Sequence, residues 1–427
     1  MKEINYVQVE NDSSDAAAVG YYMSGQSEFS DGMEKRGLIQ VVLVVGASLL
    51  VMVALGIILG VSFGVSKRNE RKLDSLSEYL WIDSDVGMDD IFAIQVLLIH
   101  LNNQKSLQQN NLLILSSLSS VHGMTPNATI GKEIIANMLK TNTLSSISKD
   151  RSFKIEKGSN FGLKDNLQKF RFEDADWYSN VDQRQTEFLQ KTGFALKNQL
   201  IDRSKEGEET FHLEPTFSHL NNQVTQLEFL PDNSLTILAI GPLTNIALWI
   251  RNNPTKLEMF KRKVRRIVSM GGNSLFNGNR DMEWNYHCDA KSVQVVMQIF
   301  SEKFFMIGLD VANEEAISSE QLTNLKQLLF NKKGKSNTAS LLSDLLTINP
   351  VSCTYDPITA SFLIRPELFT FEQVKVNIDL SSVVNSTTEF AGRVYKDSSS
   401  SGIQINVANS FNTTMYYNLL HSLFSSL

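Results

Sequence analysis

Cysteine and net positive charge are both scarce in this chain, and each scarcity excludes a class of protein. The 427 residues include two cysteines, Cys288 and Cys353, which are too few for a disulfide framework. The 40 Lys and Arg are outnumbered by 46 Asp and Glu, so the chain lacks the basic surface that binds nucleic-acid phosphates. Because 42% of residues are hydrophobic and 20% charged, a wholly disordered, collagen-like or polytopic membrane protein is also excluded.

One long segment without charge, residues 37–66, stands out from this average composition. As a helix it would span roughly 40 Å, more than the roughly 30 Å hydrocarbon core of a bilayer. A buried core helix is the alternative, although such helices seldom run this long without polar residues. We predict a single transmembrane helix at 37–66, after a disordered polar tail at 1–36 and before a linker at 67–76. The chain is therefore expected to be a single-pass membrane protein in contact with a lipid bilayer.

The side of the membrane on which the rest of the chain lies stays open. Two basic residues precede the apolar segment and four follow it closely, which favours a cytoplasmic C-terminal side. Long domains respond weakly to this bias. Three glycosylation sequons, at Asn127, Asn385 and Asn412, slightly favour an extracytosolic or lumenal side, although such sequons also arise by chance.

From residue 77 onward, short apolar runs alternate with helical stretches. We predict strands at Tyr79–Ile82, Leu112–Val121, Ser234–Ile240, Val264–Met270 and Lys303–Leu309. We predict helices at Asp89–Leu101, Ile130–Lys140, Asn245–Arg251 and Asp289–Phe300. This alternation predicts one α/β domain at 77–427, with an open, doubly wound, mostly parallel sheet flanked by helices. Ligands bind beyond the C-terminal ends of such strands, so the polar residues there are the candidates for a site.

A dense acidic turn follows the first predicted strand. Asp83, Asp85, Asp89 and Asp90 lie within eight residues, around Gly87. Carboxylates this close repel one another and resist desolvation, so they need a counter-charge, and Ca²⁺ is a hard cation that prefers oxygen ligands. An acidic helix N-cap without a metal is the alternative. A phosphatase of the haloacid-dehalogenase type also has D-x-D here, but no later Lys and acidic pair supports that interpretation.

The acidic turn is the first of five motifs that resemble, in chain order, those of the inosine–uridine-preferring nucleoside hydrolases. The others are Ile240-Gly-Pro-Leu-Thr-Asn-Ile-Ala-Leu, Ser269-Met-Gly-Gly-Asn with Gly278-Asn279 and Glu283-Trp-Asn285-Tyr-His-Cys-Asp289, Leu309-Asp-Val-Ala-Asn, and Tyr355-Asp356-Pro-Ile-Thr-Ala. The resemblance spans almost all the chain after residue 77. It implies hydrolysis of the N-glycosidic bond of ribonucleosides, giving ribose and free base, with Ca²⁺ as cofactor and a homo-oligomeric assembly.

Carried over to matching positions, the resemblance also implies a role for each site residue. The calcium ligands would be the side chains of Asp85, Asp90 and Asp356 and the main-chain carbonyl of Ile240, with Asp83 in support. Asp85 would also accept a proton from the water that the cation orients. The substrate would be bound by Asp89, Asn127, Met270, Asn279, Glu283 and Asn285.

Two positions depart from the family pattern. Tyr355 stands where the family often has His, so we expect it to act as an acid or to stack on the base, with a weak preference for purines. Met124 stands where many relatives have Asn, and that role is assigned to Asn127. Asn277 is the alternative to Asn279. These departures keep open a second hypothesis, a catalytically silent membrane protein of this fold that binds a nucleoside or ribose.

Overall fold

The computed structural model describes residues 78–106, 113–124, 128–141, 154–159, 176–193, 227–277, 282–380 and 391–427. The predicted tail, transmembrane segment and linker lie outside these residues, as do Asn127 and Asn279. Within the described ranges, the chain folds into a nine-stranded sheet flanked by helices. The predicted α/β class is therefore confirmed.

The sheet has the strand order β3-β2-β1-β4-β5-β6-β9-β7-β8. Its strands are β1 Glu78–Ser84, β2 Leu113–Ser120, β3 Lys154–Lys157, β4 Leu235–Ile240, β5 Val264–Met270, β6 Phe304–Ile307, β7 Phe369–Ile378, β8 Val394–Lys396 and β9 Ile403–Phe411. Neighbours from β3 through β9 are parallel, and β7 runs antiparallel to both β9 and β8. The five predicted strands match β1, β2, β4, β5 and β6 to within one or two residues at either end.

Eleven α-helices lie in the described residues. They are α1 Met88–Ser106, α2 Ala128–Thr141, α3 Asp176–Thr192, α4 Thr244–Asn252, α5 Leu257–Lys263, α6 Trp284–Cys288, α7 Ala290–Phe300, α8 Ser319–Lys332, α9 Asn337–Ile348, α10 Asp356–Ile364 and α11 Thr413–Ser425. The four predicted helices correspond to α1, α2, α4 and α7. The predictions began or ended up to five residues away because propensity alone does not fix helix ends.

Strand β1 shows how the sheet separates two hydrophobic cores. Leu80 and Ile82 point to the face covered by α1 and α10, whereas Trp81 points to the face covered by α4 and α7. Side chains alternate between the faces of a strand, and all three are almost fully buried. The same alternation directs Asp83 toward α4 and Ser84 toward α1. One strand thereby delivers polar groups to both sides of the sheet at its carboxyl end.

The strand order places a crevice at the carboxyl ends of β1 and β4. The chain proceeds from β1 outward to β2 and β3, and then returns to the other side of β1 to continue with β4, β5 and β6. The connections therefore leave β1 and β4 in opposite directions, which opens the sheet edge to a ligand. Ile240 ends β4 directly beside Ser84 of β1. The acidic turn and the predicted carbonyl ligand consequently meet at one switch point.

The prediction of a single-pass membrane protein needs correction. Among the helices that the structure describes, none is long and apolar enough to cross a membrane. The longest, α1, has 19 residues, and its first turn carries Asp89 and Asp90. It is apolar on nearly all sides, and it packs against the sheet and against α10 and α11. The proposed contact with a lipid bilayer therefore has no structural support, and the predicted segment at 37–66 is outside the described residues.

Candidate active site

The turn between β1 and α1 holds Asp90 by both carboxylate oxygens. The Ser84 hydroxyl donates to Asp90 Oδ1 at 2.6 Å, and the Gly87 N–H donates to Asp90 Oδ2 at 2.9 Å. Between them Val86 adopts φ = 63°, a conformation that is costly for a β-branched residue. Its carbonyl accepts a hydrogen bond from the Gln185 side chain of α3 at 2.9 Å. Strain of this kind persists where surrounding contacts fix the backbone, which is common at functional sites.

Asp85 lies against the loop that follows β2. The Met124 N–H donates to Asp85 Oδ2 at 2.9 Å. Gly123, at φ = 151°, packs so closely that a Cβ atom in its place would overlap the Asp85 carboxylate. The Asp85 and Asp90 carboxylates are also hydrogen-bonded to each other, which in the absence of a cation requires a shared proton.

Asp356 completes the cluster from the other side of the crevice. It is the first residue of α10, follows Tyr355 at φ = 57°, and is hydrogen-bonded to Asp90. Carboxylate oxygens of Asp89, Asp90 and Asp356 all lie within 4.8 Å of one another. Because Asp89 and Asp90 lie in the first turn of α1, the N-termini of two helices point toward the same negative charges and partly stabilise them.

Burial raises the pKa of every carboxylate in the cluster, and repulsion between neighbouring carboxylates raises it further for Asp85, Asp89 and Asp356. Burial, then Asp90, raises the pKa of Asp89 to about 7. Burial and neighbouring carboxylates hold the pKa values of Asp85 and Asp356 well above the usual range, and burial also raises that of Asp90. In the described part of the chain, no Lys or Arg forms an ion pair with these groups.

The donor set fits a hard divalent cation. Several carboxylates converge in a buried crevice without a basic partner among the described residues, and their oxygens are the ligands that such cations prefer. A cation there would replace the protons that otherwise relieve the repulsion. Asp85, Asp90 and Asp356, predicted as ligands, are brought together, and Ile240 ends β4 at the same edge. Asp89, predicted to bind ribose, also joins the cluster.

Asp83 lies beneath the cluster and faces away from it. Its Oδ1 accepts hydrogen bonds from the Ser119 hydroxyl and from the Asn245 amide, the latter at 2.7 Å, while Oδ2 has no partner. Burial raises its pKa to about 7. The side chain is 1% exposed, so no substrate reaches it as a nucleophile. This geometry disfavours the haloacid-dehalogenase interpretation, which requires an accessible first Asp.

Residues predicted to bind the sugar line the opposite wall. Met270 ends β5, and its carbonyl accepts from the Asn285 amide at 3.2 Å. Glu283 caps α6, and its carboxylate accepts three main-chain hydrogen bonds, from Gly272, Asn285 and Tyr286, at 2.7–3.0 Å. The backbone therefore fixes Glu283 in the pocket wall before any ligand binds.

The remaining substrate-binding predictions cannot be placed in the same way. Asn127 and Asn279 lie outside the described residues. Asn277, the alternative to Asn279, is exposed, and its N–H donates to Asp310 Oδ1 at 3.1 Å. Asp310 also accepts from the N–H groups of Leu275 and Phe276, and it thereby anchors the start of this loop.

Tyr355 lies at the mouth of the crevice, between the acidic cluster and Glu314. The Glu314 carboxylate is near enough to its hydroxyl to act on its pKa. Burial, followed by the negative charges of Glu314 and Asp89, raises the pKa of Tyr355 above its ordinary value. The phenol is therefore protonated at neutral pH and serves as a hydrogen-bond donor. Sequence reasoning missed Glu314, because nothing in its local pattern indicates a partner 41 positions away.

Two further polar features near the site were also missed. Cys288 lies close enough to Asp85 and Glu283 that burial and these carboxylates hold the pKa of its thiol well above the usual range. His122, Thr244 and Asp289 form a buried hydrogen-bonded chain. The sequence places His122 beside Gly123, but its partners lie 122 and 167 positions further along the chain. His287, by contrast, bonds to the Ala391 carbonyl through Nδ1 at 2.8 Å.

An open α/β sheet with an acidic cluster at its switch point is compatible with a metal-assisted hydrolase, and comparison with known proteins identifies the family. The family model described as inosine-uridine preferring nucleoside hydrolase matches residues 80–418. The chain belongs to this family. The predicted resemblance is therefore confirmed over nearly the whole described unit.

Curated relatives resemble the chain over part of their length. A probable uridine nucleosidase 2 of Oryza sativa subsp. japonica is 28% identical over 187 residues, covering 39% of this chain and 52% of the relative. The non-specific ribonucleoside hydrolase RihC of Escherichia coli is 32% identical over 164 residues, covering 36% and 49%. The chain thus spans about half the length of the curated relatives it matches.

Solved structures share the fold across almost their full length. A purine-preferring ribonucleoside hydrolase from Gardnerella vaginalis superposes with a TM-score of 0.55 at 18% identity, covering 82% of this chain and 98% of that one. A plant nucleoside hydrolase gives 0.54 at 16% identity, covering 82% and 99%. At this level of identity the likeness shows a common fold.

Proposed function

We propose that this chain hydrolyses the N-glycosidic bond of ribonucleosides and releases ribose and the free base. The observation that carries the proposal is the convergence of Asp85, Asp90 and Asp356, from β1, α1 and α10, at the crevice of a nucleoside-hydrolase fold. Family membership and the ribonucleoside hydrolases among the relatives support the same reaction class.

Asp85 is the proposed general base. It lies just after the carboxyl end of β1, its Oδ2 is held by the Met124 N–H, and its carboxylate is close to that of Asp90, so a cation that displaces their shared proton would leave Asp85 ionised. A bound divalent cation, which we propose to be Ca²⁺, would supply a polarised water and hold it near the sugar. Asp85 would then take the proton of that water as it attacks the anomeric carbon.

The other acidic residues would stabilise the reacting sugar. Loss of the base leaves positive charge on the ribose ring, as in other glycoside hydrolyses. Asp89 and Asp356 are near enough to place negative charge beside that ring. Asp89 is further proposed to bind the ribose hydroxyls with Asn285 and Asn127. Glu283, already fixed by three N–H groups, is proposed to bind the 5′-hydroxyl with Asn279, and Met270 to pack against the sugar.

Tyr355 is proposed to contact the departing base. Its hydroxyl is protonated and lies beside Asp89, so it is placed to donate a hydrogen bond to a base nitrogen or to present its ring face. A preference for purines follows weakly from an aromatic residue at this position. A homo-oligomer, which the family resemblance also implies, stays a prediction.

A catalytically silent nucleoside-binding protein is the second candidate, favoured by Tyr355 at the usual His position and by Met124 at the usual Asn position. One experiment separates the two. The 427-residue chain would be incubated, in excess Ca²⁺, with inosine, adenosine, guanosine, uridine and cytidine and with their 2′-deoxy counterparts, and base release measured. We expect release from ribonucleosides and much less from deoxynucleosides, because buried hydroxyl partners would be left unpaired. Saturable binding of the ribonucleosides without release would establish the silent protein instead.

A further inference from the structure

A buried chain of three side chains links the loop over Asp85 to the opposite wall of the crevice. His122 Nε2 lies 2.9 Å from Thr244 Oγ1, and the Thr244 hydroxyl donates to Asp289 Oδ2 at 2.6 Å. All three residues are at least nine-tenths buried. A threonine hydroxyl carries one hydrogen, which here goes to the carboxylate, so the hydroxyl accepts from His122 and the Nε2 atom carries a hydrogen.

The chain is anchored in a different element at each member. Asp289 caps α7, and its Oδ1 accepts from the Ser292 N–H at 3.1 Å. Thr244 is the first residue of α4. His122 follows β2, and its N–H donates to the Ser159 carbonyl at 2.9 Å. Strand β2 is thereby tied to two helices on the other side of β1, across the crevice opening.

The His122 end of this chain reaches the proposed general base through two peptide units. Gly123, the next residue, packs directly on the Asp85 carboxylate, and the Met124 N–H is its hydrogen-bond donor. The backbone has little freedom between His122 and Met124, since Gly123 has no room for a displacement toward Asp85. Loss of the His122 contact would therefore move the donor that fixes Asp85 Oδ2.

We propose that His122, Thr244 and Asp289 act as a positioning chain. This chain holds the Val121–Met124 loop, and through it the Asp85 carboxylate, in the orientation required for catalysis and cation binding. The proposal rests on the proposed function. None of the three touches the reacting atoms in this role. Polar partners behind metal-ligating side chains commonly change metal affinity or activity by 10- to 100-fold when removed. Side-chain networks of this kind also couple elements more strongly than single hydrogen bonds do.

The test uses variants of Thr244 in the 427-residue chain. Thr244→Val keeps the shape of the side chain but removes both hydrogen bonds, and Thr244→Ser keeps the hydroxyl. Thr236→Val is the matched control, because Thr236 is another buried threonine near the opposite end of β4, bonded to Glu78 and Arg266 away from the site. Four quantities would be measured for each variant: kcat and KM for nucleoside hydrolysis, the Kd for Ca²⁺ by titration calorimetry, and the melting temperature.

We expect Thr244→Val to lower kcat about 10- to 100-fold with a smaller change in KM, and to raise the Kd for Ca²⁺ by a comparable factor. Thr244→Ser should stay within about threefold of the wild type in both, and Thr236→Val should lower the melting temperature without changing either. Wild-type kcat and Ca²⁺ affinity in Thr244→Val would overturn the inference. An equal loss in Thr236→Val, or no rescue by serine, would do so too, since the role would then be one of stability alone.

Two further outcomes, a variant that does not fold and a wild type without activity, can also be interpreted. If Thr244→Val does not fold, Asp289→Asn is tested in its place. Its asparagine retains an oxygen for the Ser292 N–H but no longer accepts a hydrogen bond from Thr244. The same losses in kcat and Ca²⁺ affinity are expected. If the wild-type chain binds Ca²⁺ but hydrolyses no nucleoside, the proposed function fails, and the Ca²⁺ titration of the variants still decides the positioning role. A wild type that does neither overturns both.

Discussion

At the scale of single residues, Asp85 is the side chain on which the proposed chemistry depends most. It begins the turn after β1, one oxygen is held by the Met124 N–H, and its pKa is raised by burial and by Asp90. A cation in the cluster would keep it ionised and able to accept a proton, whereas without one it shares a proton with Asp90. Its basicity is thus governed by the occupancy of the cluster rather than by its own local sequence.

Asp85→Asn is expected to lower kcat for nucleoside hydrolysis by about 10²- to 10⁴-fold, because an amide does not accept the proton of the attacking water. The melting temperature of the cation-free protein should stay the same or rise, because one of several repelling carboxylates is removed. Steady-state kinetics and thermal unfolding would measure the two effects. Asp232→Asn, at an exposed surface ion pair, is the control and should keep wild-type kcat. A kcat within tenfold of wild type in Asp85→Asn would contradict the assignment.

The raised pKa values predict how stability depends on pH. Burial raises the pKa of both Asp83 and Asp89 from 3.8 to about 7. A group with a raised pKa binds its proton more tightly in the folded state, so the stability it contributes is complete below about pH 4 and is lost as the pH rises through about 7. Carboxylates with a lowered pKa, such as Asp232, act in the opposite direction at lower pH.

Without a divalent cation, the melting temperature should therefore fall between pH 5 and pH 8. Asp83→Asn mimics the protonated side chain and should make this fall shallower, since one titrating group is gone. Thermal unfolding at unit pH intervals, in the presence of a chelator, measures both slopes. A cation-free wild type that becomes more stable from pH 5 to pH 8 would show that the carboxylates are not held protonated by burial.

Residues of the candidate site could be proposed from the sequence where one short motif carried several of them. Asp83, Asp85 and Asp90 lie in one turn, and Asp356 opens a helix after Tyr355; the structure brings all but Asp83, which supports from below, into one cluster. The partners His122 and Asp289 were not predicted because each is an ordinary polar residue in its own segment. Thr244 links them only after β2, α4 and α7, which are far apart in the chain, come together in the fold.

At the scale of elements, the Val121–Met124 loop after β2 depends on one close contact, between Gly123 and the Asp85 side chain. Gly123 needs both a positive φ and the absence of a side chain, because Asp85 occupies the space where a Cβ atom would lie. Gly193, just after α3, also has a positive φ but faces open space. The two glycines therefore separate the effect of backbone conformation from the effect of contact with the site.

Gly123→Ala should reduce kcat more than 100-fold, because the added methyl group displaces Asp85 from its hydrogen bond with Met124. Gly193→Ala should cost about 1 kcal/mol of stability, the strain of a left-handed alanine, with kcat unchanged. Kinetics and chemical denaturation of both variants test this. If Gly123→Ala were as active as Gly193→Ala, the loop would not be the element that positions Asp85.

The sequence predicted helices and strands well where a buried element has a clear local pattern of apolar residues. Strand β4 is a nearly continuous apolar run, and β1 and β5 each contain a short one, which is typical of a parallel sheet covered on both faces. Strand β3 was missed because its four residues, Lys154–Lys157, are mostly charged and lie at the sheet edge. The antiparallel pairing of β7 with β9 was not predicted either, since about half of β7 faces solvent and its partners lie 27 to 42 positions further along the chain.

At the scale of the whole molecule, folding and cation binding are expected to be coupled. The proposed cation ligands come from the turn after β1, from α1 and from α10, so the proposed site would form only in the folded chain. Ca²⁺ at 100 times its Kd should stabilise the protein by about 2.7 kcal/mol, and more strongly at pH 8 than at pH 5, where protons compete for the same oxygens. Calorimetric unfolding across a Ca²⁺ series measures this. A melting temperature independent of Ca²⁺ at pH 8 would contradict the proposed site.

The central claim concerns one reaction, and its products can be counted. Wild-type chain and Asp85→Asn would each be incubated with inosine and Ca²⁺ in phosphate-free buffer, and free hypoxanthine and free ribose quantified together, with uridine as a second substrate. We predict that the wild type releases base and ribose in equal amounts without added phosphate, and that Asp85→Asn releases neither at a comparable rate. No release by a folded, Ca²⁺-bound wild type from either nucleoside, or equal release by both proteins, would contradict the proposal that this chain is an Asp85-dependent nucleoside hydrolase.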